Sequence, residues 1–118
     1  MATYYYLVLG KATPGQEEAF QQWYDDQHLA DCVNVPGVKS AKRFRILKGV
    51  GLGTVIQEPD FNSFAIYEME TDDPVAVARE MRLRAGTEVM PLSPACDRDA
   101  SVKYIALAAG ESVRDDEK

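Results

Sequence analysis

Histidine and tryptophan are almost missing from this chain and cysteine is scarce: one His, one Trp and two Cys stand among 118 residues. Two thiols as far apart as Cys32 and Cys96, with no export signal, read as reduced cysteines and not as a disulfide framework. The start, Met1-Ala2-Thr3-Tyr4-Tyr5-Tyr6, has no basic region followed by an apolar stretch, so it is not a signal peptide and the cytoplasm is the expected compartment. No apolar run reaches the ~18 residues that a membrane-crossing helix needs. Positive charge is in the minority, 13 Lys plus Arg against 19 Asp plus Glu, for a net charge of −6. Such a surface disfavours nucleic acid and anionic membranes alike. Tetrahedral metal sites take three or four ligands, and one His with two distant Cys offers no such set, so no metal is expected. What is present is ordinary for a globular domain: 46% hydrophobic and 27% charged residues, which excludes disorder, collagen and coiled coil.

Residues 1–110 read as a single domain, with Glu111 to Lys118 as a flexible acidic tail. Tyr4 to Leu9 is an aromatic and branched run closed by Gly10, a strand by composition. Thr13-Pro14-Gly15-Gln16 carries the signs of a helix start, with Thr13 as cap, Pro14 at the first position and Gln16 completing a capping box. Glu17 and Glu18 then suit the helix dipole. That helix is expected to run to Asp31 or Val33, where Pro36-Gly37 forces a turn, with Phe20, Trp23, Tyr24, Gln27 and Ala30 as its inward stripe. Val38 to Leu47 is a basic strand near an edge, Lys48 to Asp60 a loop or long hairpin connection, and Phe64 to Met69 the next strand. Asp73-Pro74 opens a second helix closed by Gly86, with Val75, Ala78, Met81 and Ala85 inward and Arg82 and Arg84 in its last turn. A long loop, Thr87 to Ala100, precedes the last strand, Ser101 to Ala109. Connections of that length in a small domain are more often functional than idle.

The order strand, helix, strand, strand, helix, strand is the ferredoxin-like βαββαβ arrangement: an α+β fold with a four-stranded antiparallel sheet and both helices on one face. The strands, however, are apolar on both sides. Tyr4, Tyr6 and Val8 oppose Tyr5, Leu7 and Leu9; Phe64 and Ile66 oppose Ala65, Tyr67 and Met69; Val102, Tyr104 and Ala106 oppose Ile105 and Leu107. Two helices cover one face only, and the other would exceed the apolar patch usual for a monomer. A homodimer closed through the sheet faces into an α/β barrel is the expected remedy.

Trp23, His28-Leu29, Asp31, Pro36-Gly37-Val38, Ala41 and Arg43-Phe44 resemble the Trp…His-Leu-Pro-Asp…Pro-Gly…Ala-x-Arg-Phe pattern of EthD-like proteins, of the dimeric α/β-barrel superfamily. Ala30 stands where the family usually has Pro, so the helix is expected to continue past His28. The resemblance implies a small-molecule pocket between helices and sheet. It also implies one of several activities, including decarboxylases, cyclases, isomerases and cofactor-free oxygenases, so fold alone does not name the reaction. Some barrels of this superfamily bind haem through a histidine on the second helix. Here that helix has none, and no cofactor is expected.

His28 is the only side chain whose ordinary pKa lies near neutrality. It follows Tyr24 by four residues, and Asp25 and Asp31 flank it at three, where a carboxylate would orient the ring and favour its protonated form. It reads as a general acid or base with Tyr24 as co-donor, or more plainly as a helix-end histidine meeting the dipole. Trp23 is assigned to the substrate pocket. Arg43 reads as a clamp for a substrate carboxylate, or as a solvated strand residue beside Lys42 and Arg45. Tyr67 and Tyr104, and with them Tyr5, would bring phenols to the pocket, although strand aromatics are commonly core. Cys32, four residues after His28, is placed for a thiolate–imidazole pair but is commonly a small buried residue. Gly49-Val50-Gly51-Leu52-Gly53 lacks phosphate-loop spacing and reads as a flexible hairpin. The function expected from these residues is a cofactor-independent lyase or isomerase acting on an aromatic or polyketide-like acid, with His28 moving a proton. A non-catalytic small-molecule binding or regulatory module and a cofactor-free monooxygenase of phenols are the alternatives.

Overall fold

The computed structural model describes residues 1–51 and 56–115. In chain order they form β1 (Ala2–Gly10), α1 (Glu17–Trp23), a π-helical turn (Tyr24–His28), α2 (Leu29–Val33), β2 (Val38–Arg45), β3 (Gly49–Val50), β4 (Ile56–Gln57), β5 (Ser63–Thr71), α3 (Pro74–Arg84), a 3₁₀ turn (Arg98–Ala100) and β6 (Val102–Ala106). β2, β5, β1 and β6 make one antiparallel sheet in that order. This is the ferredoxin-like arrangement that the element order predicts. β3 and β4 pair apart from it as a small hairpin; the remainder of the Gly-rich stretch, from 52 to 55, lies outside the described residues.

Strand alternation sets the two faces of the sheet. Tyr6, Val8, Ala65, Tyr67 and Met69 are buried beneath the helices together with Phe20, Tyr24 and Cys32. On the other side the register puts Leu7 between Ile66 and Tyr104, and Leu9 between Phe64 and Val102. Phe44 pairs with Phe64 there, ring centroids 6.1 Å apart. No element among the described residues covers this apolar face, and Phe44 and Tyr104 remain 42% and 59% exposed.

The first helix departs from expectation at both ends of its inward stripe. It begins at Glu17, and Gln16 caps it without a side-chain hydrogen bond. Thr13 is drawn away from capping: its hydroxyl donates to the Pro94 carbonyl at 2.8 Å, while Gln16 N–H closes a turn on the Thr13 carbonyl at 2.9 Å. Further along, Leu29 N–H donates to the Tyr24 carbonyl five residues back, the mark of a π turn. The extra residue rotates the rest of the rod about its axis. Gln27 and Ala30 become exposed, and His28 and Cys32 turn inward in their place. The rod continues through Ala30 to Val33, as expected where Pro is absent. α3 opens as predicted, with Asp73 Oδ1 accepting from Ala76 N–H at 3.1 Å. Its buried residues are Val77 and Met81, however, and Val75 is exposed, so the stripe is rotated from the expected one. Among the described residues no helix is long and apolar enough to cross a membrane.

The long loop is tied down. Thr13 N–H donates to the Ala95 carbonyl at 2.7 Å and Asp97 N–H to the Lys11 carbonyl at 2.9 Å. Met90 and Ala95 are buried. The loop therefore forms a wall instead of a free strap.

Candidate active site

A cavity of about 810 Å³ lies between the first helical rod, α3, the inner face of the sheet and the long loop. That volume suits a drug-sized ligand. Trp23, His28, Cys32 and Tyr67 line it from the rod and the sheet, and Met90 and Leu92 from the loop. The placement has local causes. The rod's stripe turns aromatic rings onto β5, the π turn aims His28 inward, and the loop is held in place as a wall by its bonds to residues 11–13.

His28 is held by rings. Trp23 stacks on it at 4.4 Å and 24°, and Tyr24 meets it edge-on at 4.9 Å and 88°. Its Nε2 lies 3.6 Å from Cys32 Sγ, while Nδ1 is buried with no partner among the described residues. Burial pushes the imidazole pKa down from 6.5 to about 4, and the Lys103 cation adds to the effect. The ring is therefore neutral at pH 7. The carboxylate expected from Asp25 is elsewhere: it pairs with Arg43 and Arg45, so the protonated form that it would have favoured is instead the disfavoured one.

Behind His28 runs a buried polar chain. Tyr24 and Tyr67 share a hydrogen bond at 3.0 Å, and Cys32 Sγ meets His28 Nε2. Burial raises both phenols above their usual range and lifts the Cys32 thiol to about 11. At neutral pH these groups carry protons and no charge, and Cys32 is a thiol, not a thiolate nucleophile.

Of the residues singled out from the sequence, Trp23, Tyr24, His28, Cys32 and Tyr67 converge on the cavity and Tyr5, Arg43 and Tyr104 do not. Tyr104 projects from the opposite face of the sheet, in register with Leu7. Arg43 sits behind Tyr24, its guanidinium 5.0 Å from that ring and its side chain only 3% exposed. Its three nitrogens are all engaged: Nε and Nη2 with Asp25 Oδ1, Nη1 with Gln21 Oε1 and Ser63 Oγ, and Nη2 also with the Gln21 carbonyl. It is neither a substrate clamp nor a solvated residue, but a clasp between sheet and helix.

Residues that the sequence does not single out also reach the cavity, among them Tyr6, Arg82, Arg98 and Lys103. Lys103 is legible in principle. It alternates with Tyr104, so the strand that turns Tyr104 out turns Lys103 in. Haem ligation by an imidazole on the second helix is not open to this chain, because α3 contains none. Among the described residues no three His, Cys, Asp or Glu side chains converge as a metal site.

Fold and cavity together define a ferredoxin-like α+β chain with the fold of EthD-like proteins. No family model matches the sequence, and no curated protein matches it either. Among solved structures the chain is similar to an EthD-like protein from Ralstonia eutropha JMP134, with a TM-score of 0.62 and 16% identity over 95% of this chain and 96% of that one. It is also similar to a variant of MhuD carrying two manganese protoporphyrin IX groups per active site, with a TM-score of 0.60 and 16% identity over 94% and 99% of the two chains. At such identities what is shared is the fold.

Proposed function

We propose that this chain binds a small aromatic acid in the cavity and catalyses proton transfer on it, as a lyase or isomerase without a cofactor, with His28 as proton carrier. The observation that carries this reading is the state of His28. It is the sole imidazole of the chain. It lines the cavity, is neutral at pH 7, and keeps one ring nitrogen buried and without a partner among the described residues. A neutral imidazole takes a proton without first having to lose one. Its cation, disfavoured by burial, returns that proton readily, and isomerisation and decarboxylation both require such a return. Trp23, only partly buried, supplies a ring face for an aromatic substrate.

The test is solvent exchange. Wild-type protein in D₂O, offered hydroxybenzoates and polyketide-like acids, is expected to wash deuterium into the substrate or to release carbon dioxide, followed by NMR. His28→Ala should slow this by about 10²–10⁴-fold. Full turnover in a folded His28→Ala variant would end the catalytic role of this residue. The low basicity of His28 favours a second reading, a binding module in which the neutral ring only hydrogen-bonds its ligand. Binding without turnover across the panel would select it.

The same reading includes a homodimer joined through the open sheet face, since Leu7, Leu9, Phe44, Phe64 and Ile66 lie on it uncovered. Two free thiols, Cys32 and Cys96, fit a reducing, cytoplasmic setting.

A further inference from the structure

The chain is acidic overall, at −6, yet the cavity gathers cations. Arg79, Arg82, Arg98 and Lys103 all line it, with Asp99 as the one carboxylate among its described lining residues. They arrive from three separate elements, α3, the 3₁₀ turn and β6, so their convergence is not the accident of one polar helix face. Lys39, Arg43, Arg45 and Arg84 each stand in an ion pair. The four at the cavity have no side-chain ion pair or hydrogen bond among the described residues. They also feel one another. Partial removal from water lowers the Lys103 ammonium from its usual range, and the Arg98 and Arg82 charges lower it further. Like charges held together without a counter-ion are unfavourable unless an anion joins them.

Resting on the reading of the cavity as an aromatic-acid site, we propose that Arg82, Arg98 and Lys103 form an anion subsite at its mouth that takes the substrate carboxylate while the ring of the acid lies inside toward Trp23 and His28. The subsite replaces Arg43 as the carboxylate clamp, because the Arg43 donors are spent within the protein. Guanidinium forks match the two oxygens of a carboxylate, and Lys103 adds a third donor at the sheet. Recognition by exposed cations is steered by charge and weakens with salt.

The test uses matched pairs of probes, 4-hydroxybenzoate with 4-hydroxybenzamide and 2-naphthoate with 2-naphthamide, titrated against the full chain by ¹H–¹⁵N NMR at low and high salt. The acids are expected to bind about tenfold or more tighter than the amides at low salt, and to lose that advantage as salt rises. The double variant Arg82→Gln/Lys103→Gln changes exposed residues and should fold as the wild type does, which the Trp23 emission checks. It should bring the acids down to the affinity of the amides and leave amide binding unchanged. Equal affinity of acid and amide in the wild type would overturn the anion subsite and leave the aromatic cavity standing. An acid preference that survives in the double variant would overturn it as well. Binding of neither probe type would overturn both the subsite and the aromatic-acid reading on which it rests.

Discussion

Replacing Arg43 with alanine should make the chain far easier to unfold while leaving the acid-over-amide preference of the cavity intact. The guanidinium is buried and supplies Gln21 Oε1 at 2.6 Å and Ser63 Oγ at 3.1 Å, and both of those residues are themselves buried. Each acceptor left without a donor costs about 1–3 kcal/mol. The ion pair to Asp25, 2.6 Å long, adds little by itself, because the Asp25 side chain is 43% exposed. The sum, about 2–6 kcal/mol, spans the range of about 3–5 kcal/mol that removing one partner from a buried ion pair generally costs. Over 118 residues and an unfolding entropy of about 2.1 cal/mol/K per residue, it becomes a drop of about 8–24 °C in Tm. Calorimetry reads the drop, and Arg43→Lys, which keeps the charge and loses the fork, should fall between. A pH signature accompanies it. Burial pushes the Asp25 carboxyl up, and the hydrogen bonds and charges of Arg43 and Arg45 outweigh that and hold it below its ordinary 3.8. A carboxyl so lowered contributes stability above its unfolded pKa and loses it as pH falls through the folded one. Wild-type Tm should therefore decline in the acid range more steeply than that of Arg43→Ala. An unchanged Tm with lost affinity for acids would refute the clasp and return Arg43 to the ligand.

The His28 imidazole, followed by NMR, should stay neutral from pH 8 down to about 4; a midpoint near 6.5 would remove the burial argument. Because the unfolded ring takes up a proton first, stability should be fully present above about pH 6.5 and should fall between there and pH 4, by up to about 3 kcal/mol. Light scattering at micromolar concentration should give twice 13.1 kDa, and Phe64→Lys, which puts a charge on the open sheet face, should give the single mass; a wild-type monomer would sink the packing inference. Gly37→Ala should cost about 1–3 kcal/mol by thermal melt, because φ there is +97° and an added Cβ would lie 2.8 Å from Val77 Cγ2. Tyr24→Phe removes the 3.0 Å bond to Tyr67 and should cost about 1–3 kcal/mol, because the buried Tyr67 hydroxyl loses that partner.

What is legible in the sequence is whatever local chemistry decides. Period-two alternation assigns Tyr6, Val8, Ala65 and Tyr67 to one face, and a strand has no other way to distribute them. The Asp73-Pro74 start and the Pro36-Gly37 turn need only their own residues, and both stand where they are expected. Thr13 escapes such reasoning because its hydroxyl prefers a carbonyl 81 residues away; a capping rule sees three residues ahead and no further. Arg43 escapes it for the same reason. Beside Lys42 and Arg45 it looks solvated, and only the packed fold brings Gln21, Asp25 and Ser63 around it.

The site itself turns on the one place where helical periodicity fails. A regular 3.6-residue repeat from Phe20 sends Gln27 and Ala30 inward, and neither goes there. The π turn at Tyr24–His28 supplies the additional residue that brings His28 and Cys32 around to the sheet. Such turns forfeit regular i to i−4 bonding and need support from outside the helix. Arg43 reaches this stretch from β2: it bonds Asp25 inside the turn and the carbonyl of Gln21 one turn before it, which also accepts from Tyr24 N–H. The clasp that sequence reasoning takes for a substrate anchor thus lies against the segment whose irregularity aims the only histidine at the cavity. Periodicity alone cannot reveal that arrangement, because the guanidinium that bonds the turn comes from a strand distant in sequence.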